Sequence, residues 1–155
     1  MATEATIRDL NSRQATVDYQ RKQLLIRNYE TERGIYENIS GGDESVAYGQ
    51  LLGKVDGADE WVVCKSAAID GSQVPKGVYA GDAIVDAAAA SQVDPVVVCI
   101  KGDLDARYLV FDGTDTLDTM VTGSSGEQKS MREWLKTASL GIQALGVTDT
   151  SEYDN

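Results

Sequence analysis

Glycine punctuates this chain from end to end, and that limits the folds open to it. Fifteen glycines stand against two prolines. Many of them interrupt runs of Val, Ile, Leu and Thr. Branched side chains suit a pleated surface, and glycine enters turn conformations closed to other residues. The pattern predicts short strands joined by tight turns. With 155 residues, of which 42% are hydrophobic, the chain can bury about two-thirds of the surface it exposes when unfolded.

Residues 1–23 are polar and poor in large apolar groups, which predicts an arm. Residues 17–33 fit a helix only imperfectly, through Val17, Gln20, Leu24 and Tyr29. Leu24-Leu25-Ile26 followed by Tyr29 fits a strand as well. Gly34 is expected to end either element. Tyr48 to Val55 reads as a strand with a glycine at each close approach. Asp56-Gly57 is a turn signal that makes 51–64 a hairpin. Val74 to Tyr79 re-enters extended structure. Val85 to Ala90 fits a helix or a bend. Val96 to Ile100 predicts a strand buried on both faces, with 107–111 pairing back on it.

Ser124 and Ser125 stand three residues before Glu127 and Gln128, the spacing of a capping box. Met131, Trp134, Leu135 and Ala138 then share one helical face. Gly141 fits the residue beyond the helix end, and Ile142 to Val147 a short returning strand. The expected fold is α+β, mainly β: a small mixed-sheet, barrel-like domain with a C-terminal helix, preceded by an extended N-terminal arm. The divisions are an arm at 1–40, a body at 41–148 and an acidic tail at 149–155.

Charge divides along the same line. The chain carries 14 bases and 25 acids, for a net charge of −11. Residues 1–40 hold six of each, so the whole excess lies in the remainder. An acidic body repels phosphate backbones, which argues against a nucleic-acid partner. No stretch is long and apolar enough to span a bilayer, and Met1-Ala2-Thr3-Glu4 does not open a secretory leader. Cys64 and Cys99 each sit in an apolar run and are expected as buried free thiols.

The chain has no histidine. That removes Ser-His-Asp and Cys-His catalysis and the commonest metal ligand. Two cysteines alone cannot build a structural zinc site. Gly123 to Ser130 imitates a phosphate-binding loop, but Gln128 stands where a glycine must precede the lysine. Val110-Phe111-Asp112-Gly113-Thr114-Asp115 resembles the aspartate loop of phosphotransferases related to haloacid dehalogenases. Its aspartates are three apart instead of two, so it reads as a turn. Asp112, Asp115 and Asp118 match no calcium-loop spacing. No catalytic residue, cofactor site or metal site is expected.

Four stretches, in order, carry a resemblance. They are Gly49-Gln50-Leu51-Leu52-Gly53-Lys54-Val55, Ala67 to Pro75 with its Asp70-Gly71-Ser72-Gln73, Val97 to Leu104, and the closing helix Met131 to Leu140 followed by Gly141-Ile142. Across about residues 46–147 the chain resembles the head decoration protein D family of bacteriophage lambda, the capsid cement proteins of tailed phages. Residues 1–40 and the loops near 87–90 and 112–125 are longer than the family's.

The resemblance implies a homotrimer on the outer surface of a phage head, at three-fold and quasi-three-fold positions, stabilising the shell. It implies the major capsid protein as partner, with neither nucleic acid nor membrane, and synthesis in the host cytoplasm. It also implies that the amino-terminal segment reaches the shell. The candidate capsid-binding residues are the bases Arg8, Arg13, Arg21, Lys22 and Arg27, with Tyr19, Leu24, Ile26 and Tyr29 as apolar anchors. The alternative is a virion-surface adhesion or receptor-binding module.

Overall fold

A computed structural model describes residues 24–146. In chain order they form β1 (Leu25–Glu37), β2 (Glu44–Val46), β3 (Leu51–Gly53), β4 (Val62–Val63), β5 (Gly77–Tyr79) and β6 (Ile84–Ala87). Then come β7 (Gln92–Asp105), a 3-10 turn at Ala106–Tyr108, β8 (Met120–Thr122), β9 (Gln128–Ser130), α1 (Met131–Ala138) and β10 (Ile142–Leu145). The molecule is mainly β, with one short helix near the C-terminal end.

The principal sheet runs β1-β7-β5-β3-β4, and β10 joins it beside β7. All neighbours are antiparallel except β10, which is parallel to β7 from Ile142 opposite Gly102 to Leu145 opposite Asp105. β2–β6 and β8–β9 are two-stranded ribbons. The expected hairpin at 51–64 is present, with Leu52 opposite Val63 and Gly53 opposite Val62.

Alternation along the strands fills two cores. Leu51, Cys64, Val78 and Cys99 enter one cluster with Trp134 and Leu135 of α1. Their neighbours Leu52, Val63, Tyr79 and Val98 enter the other, around Tyr36 and Trp61. Successive side chains of a strand point to opposite faces, so these strands read as continuous apolar runs because both faces are covered. That accounts for the Val96–Ile100 run.

Trp61, just before β4, is 3% exposed, and it fits because two glycines make room. A Cβ on Gly34 would lie 2.8 Å from the indole Cδ1 and Nε1. A Cβ on Gly77 would lie 2.5 Å from Val98 Cγ1 and 3.0 Å from Trp61 Cη2. Trp61 N–H donates to Ile35 O at 2.7 Å, and Glu37 N–H donates to Trp61 O at 2.9 Å. This ties the two ends of the sheet at a single bridge, Tyr36 to Trp61. The sheet therefore curls until its ends meet at one point, but β1 and β4 share no ladder and no barrel closes among the described residues.

Several local expectations change. Gly34 does not end an element; it lies inside β1, where the indole needs it. The sheet does not begin after residue 40, because β1 pairs with β7 along most of its length. The helix is capped by Ser130, whose Oγ accepts from Glu133 N–H at 3.3 Å, while Ser130 N–H donates to the Glu133 carboxylate at 3.4 Å. Ser124 and Ser125 instead form the β8–β9 turn. Residues 107–111 do not pair back on β7: Val110 bridges Gln50. Residues 84–87 are strand, not helix. Gly49 and Gly53 stand at close approaches as expected, since a Cβ would meet Tyr108 O at 2.1 Å and Ser72 O at 2.4 Å.

Replacing Gly34 with Ala is expected to lower stability by about 1–3 kcal/mol through overpacking. Gly42→Ala, where a Cβ meets nothing within 4 Å, is expected to change it by less than about 0.5 kcal/mol. Urea titration of both variants checks the contrast.

Candidate protein-binding surface

The candidate residues divide at Leu24. Arg8, Arg13, Tyr19, Arg21 and Lys22 lie outside the described residues, as does the tail at 149–155. Leu24 is fully buried in the core with Leu104 and Ile142, so it belongs to the body and is not an exposed anchor. Ile26 and Tyr29 are 39% and 51% exposed.

They project from the first half of β1, where the strand is irregular. Asn28 has φ 52°, and the register with β7 slips between Leu25 and Arg27, Arg27 and Glu30, and Glu30 and Thr31. Gly102, at φ +126°, permits the close approach of Tyr29, whose Cα would lie 2.5 Å from a Cβ there. Arg27 is held by Asp103 at 2.6 Å and Lys101 by Glu30 at 3.3 Å. Such exposed pairs contribute about 0–1 kcal/mol each, and a partner's carboxylate has to compete with Asp103 for Arg27. Short slips and charges are common devices on an exposed sheet edge. Along 25–33, β1 pairs on one side only among the described strands.

The candidate chemical motifs resolve into structural contacts. Ser124 Oγ donates to the Asp56 carboxylate and Lys129 pairs with Glu127 at 2.9 Å, so carboxylates engage the groups that a phosphate loop would offer. Asp115 accepts from Ser66 N–H at 3.0 Å and Ser66 Oγ at 2.6 Å, anchoring one loop to another. Among the described residues, no three Cys, Asp or Glu side chains gather as a metal site.

Both cysteines are free and buried. Cys64 Sγ donates to Gln73 O and Cys99 Sγ to Lys101 O, each at 3.2 Å. Burial pushes the Cys64 thiol far up, with Asp115 and Asp112 adding to it. Burial raises Cys99 from 9.0 to about 11. Below pH 9 the thiol is protonated in both states. Above it the unfolded chain ionises first, so this contribution to stability is lost as pH rises from 9.0 to about 11. Native protein at pH 8 is expected to react slowly with a thiol reagent and urea-unfolded protein quickly. Rapid native labelling of two thiols contradicts the burial.

One feature of the site gave no sequence motif. Two cavities of about 280 and 290 Å³ adjoin, sharing Glu32, Lys54 and Trp61. They open where β1 diverges from Trp61. Lys54 Nζ lies 4.4 Å from the centre of the Trp61 ring. Trp134, the other tryptophan, donates its Nε1–H to Val121 O at 3.0 Å. Trp61 Nε1–H finds no acceptor among the described residues and faces the cavity. In deuterated solvent the Trp61 indole proton is expected to exchange well before that of Trp134, which two-dimensional nitrogen–proton spectra resolve.

Comparison with protein-family models, with curated proteins and with solved structures finds no match.

Proposed function

We propose that this chain is a capsid decoration protein that binds the outer surface of a phage head as a trimer and works by binding alone, without catalysis. The observation that carries the reading is the position of the four resembling stretches. They are the body's framework: β3 with the close-approach glycines Gly49 before it and Gly53 at its end, the turn at 70–75 before β5, the central strand β7, and α1 leading into β10. The chain departs from the family at residues 1–40, which include β1, and in the stretches near 87–90 and 112–125, the second of which includes β8.

The mechanism follows from the layout. The polar, base-bearing residues 1–23 are continuous in sequence with Leu24 and the edge strand β1, so force on that segment is delivered to β7 through the β1 ladder. An extended segment adds to a strand edge on a shell subunit through main-chain hydrogen bonds. Ordering it is costly, so one arm binds weakly. Three arms on a closed trimer raise the effective concentration, which strengthens the grip by about 10²–10⁴-fold. Ile26 and Tyr29 supply apolar contact beside the arm.

The burial of Leu24 sets where the arm can be cut. Deleting residues 1–23 is expected to leave a folded body that no longer sediments with phage heads stripped of decoration. Full-length protein is expected to sediment with them and to show a trimer's mass in equilibrium ultracentrifugation. Undiminished sedimentation of the truncated protein overturns the arm mechanism, and a monomer that ignores the heads overturns the function.

A further inference from the structure

We propose that the groove beside Trp61 is a docking site for an extended segment of a partner protein that carries a single carboxylate. Three observations converge there. The first is the Trp61 indole N–H. It can only donate, its residue is 97% buried, and no described residue accepts from it. The buried side-chain atom without a partner among the described residues is Ser91 Oγ, so the Trp61 N–H is reached by solvent through the groove, and an acceptor entering there takes the place of water.

The second is where the free cations lie. Of the ten described Lys and Arg residues, Arg27, Lys65, Lys101, Arg107 and Lys129 are ion-paired. Of the other five, Arg33, Lys54 and Lys76 line these two adjoining cavities. Lys54 stands over the same ring whose N–H is open. Glu32, Asp59 and Glu60 also line the groove, and none forms an ion pair with a described residue. The formal charges of the groove therefore cancel. That favours a segment with one carboxylate over a strongly acidic run, which the negative body repels.

The third is main-chain continuity. Trp61 already occupies the outer edge of β1 at Ile35 and Glu37. The next stretch of that edge, toward Thr31, pairs with no described strand. A peptide added there lies in line with Trp61 and pairs through its backbone. Its carboxylate then accepts from the indole N–H beside Lys54 and Arg33. This surface differs from the arm, and it stands whether or not the shell is the partner.

The test uses the full chain and a capped hexapeptide, Thr-Val-Asp-Val-Thr-Ser, with Asn or Lys replacing its Asp as controls. The Asp peptide is expected to shift the Trp61 indole signal saturably, leave the Trp134 signal in place, and bind more weakly as salt rises. The Asn and Lys peptides are expected to bind at least about tenfold more weakly, as are Lys54→Met, which keeps the stem over the ring, and Arg33→Gln. No shift at Trp61, equal binding of the Lys peptide, or unchanged affinity in both variants overturns the proposal. So does a Trp61 shift caused by deleting residues 1–23 or 147–155 without peptide, which assigns the groove to the chain's own segment.

Discussion

The seating of one indole between two glycines holds this architecture together. Trp61 is too large for a sheet interior unless strands on either side give up their side chains, and Gly34 and Gly77 do so. Its backbone then bonds to Ile35 and Glu37. The strand order β1-β7-β5-β3-β4 is thereby bent back on itself. Side chains on the inner face, among them Tyr36, Leu52 and Val98, are enclosed without a closed barrel. Burial of such side chains contributes about 1.5–3 kcal/mol each, so a change that unseats the indole loosens the cluster, not one contact.

β7 is the second constraint, because it serves both cores. β1 lies along one of its edges, with β5 and β10 on the other. The helix covers the outer cluster, pinned by the Ser130–Glu133 capping box and the Trp134 bond to Val121 O. Polar side chains inside this frame are tied to it. Asn38 donates to Gly42 O and Ala87 O, both at 2.7 Å, and accepts from Ser40. Gln73 Nε2 donates to Thr122 O at 3.0 Å. These groups hold loops in place.

Much of this was legible in the sequence. The β3–β4 hairpin followed from Asp56-Gly57 between apolar runs. The two-faced burial of β7 followed from unbroken Val96–Ile100, and the buried helix face from Met131, Trp134 and Leu135. What failed did so for tertiary reasons. Gly34 signals a break locally, and only the indole across the sheet explains why it sits in a strand. The spacing of Ser124–Glu127 matches a cap as well as Ser130–Glu133 does, and the turn at Gly123–Gly126 decides between them. Charge balance divides arm from body at residue 40. Strand pairing ignores that boundary and takes in Leu24 onward. The groove carried no motif at all, since its parts come from β1, the loop before β4 and the residues after α1.

We propose that this body sits on the outside of a viral shell and grips it by its amino-terminal segment. Electron microscopy of stripped phage heads incubated with the full-length chain tests that most directly. The account predicts trimeric density on the outer surface at three-fold and quasi-three-fold positions, with each body's β1 edge toward the shell. Bare shells at saturating protein, or density confined to other sites, would contradict it.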